Sequence, residues 1–333
     1  MKVGNVSQSV LKRSVLKPLQ TKREEVFIQP TIEEKCSGIR ISKEDGIVIS
    51  STVTFGNEKD LGVYAIAEVI NNITSRNAKP IGVDLIIQLP SYAYESRLKT
   101  MVELMEQCCK WQNVQIMGIK VSVSPVLNVA MVYATATGTI LLETSVVKKN
   151  VKANQDIVIL NELGIAGALR ILDIKKEIRE KFTPSFLTPL EQKKKHIFAT
   201  DVIKQVLQHS VQAIHPIGTE GLLGALWNMG EVQKVGMEID IKQIPIMQEV
   251  IEITECVSIN PYQLNSIGSI LVMTEDGNAL VESLRKQGYT AAKIGKIIDT
   301  TERVVYNGSD KRFLDKPSPD EMLKLYEIKE EKL

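Results

Sequence analysis

Between residues 46 and 142 the chain alternates two incompatible periodicities, and that alternation limits the folds open to it more than any other feature. The runs 46–53, 81–89, 114–123 and 126–142 are rich in Val, Ile and Thr, whose branched side chains suit a pleated, half-buried surface. The stretches 61–73 and 94–111 between them read as helices. In the second, Leu98, Met101, Val102, Met105 and Cys109 recur at three- and four-residue spacing, and methionines on such a stripe fill a core. A sheet with helices laid on one face buries both patterns, so the first half is expected to be an α+β layer.

The composition shifts at 147–154, VKKNVKAN, which reads as a linker and divides the chain into domains at 1–148 and 155–333. The second half opens with a strand at 156–160 and then turns helix-rich, with helices expected at 164–180, 199–213, 221–232, 246–256 and 275–287. Further strands are expected at 269–273, 292–297 and 303–305. The stretch 181–196 carries Pro184, Pro189 and several charges, and is expected to cross the surface between two helices. The expected fold class is therefore α+β, with two α/β domains.

Composition excludes several functions. A chain of 333 residues exceeds one ordinary core and suits two domains of roughly 150 residues. No apolar run approaches the roughly 20 residues of a membrane span, and the start, MKVGNVSQSVLKRSVLKPLQTKREE, lacks the apolar centre of a secretory signal. A cytoplasmic protein with no membrane partner is expected. The formal charge of +1 gives no field for nucleic acid, and Lys193, Lys194 and Lys195 read as a solvated face. Cys36, Cys108, Cys109 and Cys256 form no C-x-x-C pair, so free thiols are expected. The histidines His196, His209 and His215 show no metal-ligand spacing, and Ser210 beside His209 and Asp201 is an accident of local composition. Walker A and G-x-G-x-x-G patterns are absent.

Longer segments carry a resemblance. FGNEKDLGVYAIAEVINNITSRNAKPIGVDLIIQLP (55–90), IHPIGTEGLLGALWNMGE (214–231) and IPIMQEVIEITECVSINPYQLNSIGSILVMTEDGNAL (244–280) follow one another in the order found in the PurM-like superfamily. The whole resembles the AIR-synthase-related proteins near the hydrogenase maturation factor HypE, and VGNVSQSVLKRSVL resembles that family's N-terminal helix. The resemblance implies a two-domain PurM-like architecture, an N-terminal sheet domain that forms a dimer, and a cleft that takes ATP with magnesium.

Magnesium is a hard cation that needs oxygen ligands, mostly carboxylates, beside the phosphates it bridges. At the positions matching the family's ligands the carboxylates are replaced. The Gly-x-Gly-Glu-Asp segment matches 31–35, keeping Glu34 but with Lys35 for the aspartate. The Thr-Asp position falls on Ser51 and Thr52, the Asn-Asp pair on Asn71 and Asn72, and a polar strand position on Lys120. His215 is kept, with Pro216 for the following aspartate. The cleft implied by the family thus comprises Glu34, Lys35, Thr52, Asn71, Asn72, Lys120 and His215, with no metal ligand set, although the family implies ATP and Mg.

Three functions follow as expectations. The first is a non-catalytic scaffold or regulatory partner, a homodimer or a heterodimer with an active relative; the run 126–137 is either its exposed dimer strand or a buried central strand. The second is an ATP-dependent enzyme whose ligands have moved, with Glu33, Glu34, Asp45, Glu58 and Asp60 as candidates. The third is a metal-independent anion-binding module using Lys35 and Lys120. The family members that make cyanide carry a terminal cysteine, whereas the given sequence ends EIKEEKL with Cys256 as its last cysteine, so that chemistry is not expected.

Overall fold

A helix carries the centre of the molecule. In the computed structural model, which describes residues 7–19, 23–32, 34–144 and 151–326, helix α1 (Leu61–Ser75) is buried along almost its whole length. It is apolar on nearly every side, as a helix enclosed by other elements must be. Its core includes Val48, Ile87 and Val132 from the first half, but also Ala166, Ile197, Phe198 and Ile267 from the second.

The first sheet has six strands: β1 (Val26–Ile28), β2 (Cys36–Arg40), β3 (Asp45–Gly56), β4 (Lys79–Pro90), β5 (Gln115–Ser124) and β6 (Ala130–Leu141), in the order β1-β2-β3-β6-β4-β5. All pairs are antiparallel except β4 and β5, which helix α2 (Glu95–Gln112) joins as a crossover. The expected run 126–137 supplies β6, which pairs with β3 on one side and β4 on the other. It is a central strand, and the edges are β1 and β5. Alternation along β6 buries Val132, Ala134 and Ala136 under α1 and leaves Tyr133 on a face without helices.

The second sheet has seven strands, ordered β13-β12-β9-β11-β7-β10-β8: β7 (Asp156–Leu160), β8 (Val211–Pro216), β9 (Gly236–Asp240), β10 (Ile270–Thr274), β11 (Ala291–Ile298), β12 (Arg303–Asn307) and β13 (Asp310–Phe313). Around it lie α3 (Ile165–Ile174), α4 (Pro184–Gln192), α5 (Thr200–Val206), α6 (Gly221–Gln233), α7 (Gln248–Cys256) and α8 (Gly277–Lys286). No described helix is long and apolar enough to cross a membrane.

Three expected elements are corrected. The helix 164–180 ends at Ile174, because Lys175 leaves helical geometry (φ −112°, ψ 80°) before a short turn at Lys176–Arg179. The helix 199–213 stops at Val206, and Val211–Pro216 is instead β8, buried on both faces and so without a polar alternation to announce it. The supposed surface crossing 181–196 contains α4. Thr183 caps it by accepting from the Phe186 amide at 3.3 Å, Pro184 starts it, and Leu187 and Leu190 are buried. Half of the expected linker, residues 147–150, lies outside the described residues.

Candidate functional site

Residue 68 stands one helical turn before Asn72, so both side chains leave α1 on the same face. That face looks across the body of β3, at Thr52, to the loop following β8. There Glu68 Oε2 accepts from Thr52 Oγ1 at 2.9 Å. From the opposite side Lys35 Nζ donates to Glu220 Oε1 at 2.5 Å and to the Pro216 carbonyl at 2.7 Å. His215 Nε2 lies 3.2 Å from the same Glu220 oxygen.

These groups converge on Gly218. A Cβ built there would stand 2.9 Å from Glu68 Oε1, 3.1 Å from Glu220 Oε2 and 3.3 Å from Lys35 Nζ. Two carboxylates and one ammonium therefore surround the same point, with the ammonium bonded to Glu220. Burial would raise Glu220, but Lys35 and His215 outweigh it and hold this carboxyl well below its usual range. Glu68 is pushed up, first by burial and also by repulsion from Glu220, with Lys35 and Thr52 opposing. A third carboxylate, Asp320, comes from the C-terminal segment. Burial pushes it up to about 6, with the Met322 amide and Arg170 opposing and Glu220 and Glu68 adding to the rise.

The structure thus brings Lys35, Thr52 and His215 together, and assigns the other expected residues elsewhere. Glu34 Oε1 accepts from Arg76 Nη2 at 2.7 Å and from the Cys36 amide at 3.1 Å, a buried clamp on β2. Asn71 bridges the halves: Nδ2 donates to the Ile197 carbonyl and Oδ1 accepts from the Ala199 amide, both at 2.8 Å. Asn72 donates to Ser50 Oγ at 3.1 Å, and its Oδ1 has no hydrogen-bond partner among the described residues.

Lys120 does not join them within one chain. It pairs with Ile86 across β4 and β5, while Thr52 pairs with Ala134, which pairs in turn with Leu85. Strand alternation therefore sends Lys120 and Thr52 to opposite faces of the sheet. Of the remaining candidates, Glu58 is locked to Arg170 at 2.7 Å, Asp60 to Lys194, and Asp45 to a turn serine, Ser42, at 3.2 Å. Glu33 lies outside the described residues. The sequence reading missed Glu68, Glu220 and Asp320 as site groups. For Glu68 a signal existed: it is the one acidic residue in the otherwise apolar and amide-bearing LGVYAIAEVINN.

A helix clasped between two mixed sheets, with a polar cluster at the seam, defines a two-domain α+β protein whose functional groups come from both halves. The family described as AIR synthase related protein, N-terminal domain, matches residues 34–140, and its C-terminal counterpart matches 152–307. The chain belongs to this AIR synthase-related, PurM-like superfamily.

It is similar to a putative hydrogenase expression/formation protein of Methanocaldococcus jannaschii, 24% identical over 242 residues that cover 71% of this chain and 70% of that one. Among solved structures, a HypE–HypF complex aligns with TM-score 0.70 at 17% identity, covering 93% of this chain and 100% of that one. HypE of E. coli aligns with TM-score 0.70 at 16% identity, covering 84% and 88%. AaThiL, complexed with AMPPCP and TMP, aligns with TM-score 0.72 at 16% identity, covering 94% and 99%.

Proposed function

We propose that this protein is a HypE-like member of its superfamily that has given up magnesium-dependent ATP chemistry and acts as a non-catalytic scaffold or regulatory partner. The observation that carries the reading is the Lys35 ammonium, 2.5 Å from Glu220 and facing Glu68. Part of the cleft's negative charge is already offset by a cation of the chain itself, and a magnesium ion brought beside it would meet like charge at short range. The residues present do not fit Mg-ATP, since Lys35, Thr52 and Asn72 stand where the family has carboxylates. Domain limits of 1–148 and 155–333 are part of the proposal.

Assembly is part of the role. The helix-free face of the first sheet exposes Val53, Ile86 and Tyr133 in one row, apolar surface that a second copy would cover. The structural relative crystallised as a HypE–HypF complex supports a protein partner here also. Calorimetric titration with ATP, with and without magnesium, tests the reading: no magnesium-dependent binding is expected, and such binding would overturn it.

One observation favours a second reading. Glu68 and Glu220 converge on Gly218, with Glu68 bonded to Thr52, as relocated ligands of an ATP-dependent enzyme would. Magnesium-dependent nucleotide hydrolysis lost in both Glu68→Gln and Glu220→Gln would establish it in place of the scaffold.

A further inference from the structure

On another side of α1, where α2 of the first half meets the segment Lys193–Ile197 of the second, lies an apolar pocket of about 420 Å³. Val63, Leu104 and Trp111 form its walls from the first half, and Ile197 and Phe198 from the second. Trp111 stands edge-on to Phe198, with centroids 5.5 Å apart and planes at 83°, yet remains 56% exposed. An indole fixed by a buried ring and open to solvent on its other side is a flat apolar platform.

Charged groups also line the pocket. Asp60 is 1% exposed. One of its oxygens holds Lys194, while Oδ1 has no hydrogen-bond partner among the described residues. Lys195, on the same lining, is exposed and makes no ion pair among the described residues. An exposed lysine at the rim of an apolar pocket with an aromatic wall suits one kind of molecule, an aromatic acid. The volume falls within the range of roughly 300–1,000 Å³ that small-molecule sites span.

We propose that this pocket binds a small aromatic acid, with its ring against Trp111 and its acid group at Lys195. The site stands apart from the Lys35 cluster and does not depend on the role proposed there. Since its walls come from both halves, an occupant fastens α1 and α2 to the segment 193–198.

The test uses 8-anilinonaphthalene-1-sulfonate, an aromatic acid, titrated into the full chain. One saturable site per chain is expected, with blue-shifted emission. Leu104→Glu, which sets a carboxylate in the wall, should weaken it about tenfold. Lys195→Met, at an exposed position whose loss leaves the fold intact, should weaken it about threefold and lower its sensitivity to salt. Ile251→Glu, at an exposed position of α7 away from the pocket, should leave it unchanged. Unsaturable emission, emission abolished by Ile251→Glu, or indifference to both Leu104→Glu and Lys195→Met would overturn the proposal.

Discussion

At Lys35 a single side chain sets the charge of the whole seam. Lys35→Met would leave the buried Glu220 without the ammonium that offsets it and facing the Glu68 carboxylate, and should destabilise the fold by about 3 kcal/mol, measured by urea unfolding. Arg170→Met should cost as much or more, since the carboxylate it strands, Glu58, has a side chain 0% exposed. Asp320 gives a dependence on pH of the opposite sense to an ordinary ion-paired carboxylate. Its folded-state pKa of about 6 lies above the value near 3.9 of an unfolded aspartate, so the folded state binds the extra proton. Stability therefore falls as pH rises from about 4 to 6, and Asp320→Asn should remove that fall, leaving the variant on the order of 2 kcal/mol more stable at pH 7. Denaturant midpoints of both proteins across this window check it.

Elements were legible where their pattern was one-sided. The strands β3, β4, β5 and β6 and the helices α1 and α2 announced themselves through β-branched runs or apolar stripes. β8 did not, because burial on both faces erased the alternation; α4 did not, because its prolines and charges look like a loop until Thr183 is seen capping it. The same division holds at the site. Lys35, Thr52, His215 and Glu220 stood in segments whose order could be matched, whereas Asp320 reaches the cluster only through the fold. Helix packing is also testable. A Cβ at Gly62 would lie 2.1 Å from Met105 Sδ, and Met105 is fully buried, so α1 and α2 approach as closely as a glycine allows. Gly62→Ala should cost about 2 kcal/mol by overpacking, read as a lower melting temperature.

For the whole molecule, the two halves hold each other through α1, and the surface left over is the helix-free face of the first sheet. If that face joins two copies, Tyr133→Glu should convert a dimer to a monomer by light scattering while leaving far-UV circular dichroism unchanged; an unaltered mass would place the interface elsewhere. The central claim is that the superfamily architecture persists here with a protein cation in the position of a metal. Its most direct test is titration of manganese, followed by electron paramagnetic resonance, into the wild-type chain and into Lys35→Ser. The account predicts no bound manganese in the wild type and a new site in the variant, once Glu68 and Glu220 face each other without the ammonium. Equal manganese binding by both proteins would contradict it.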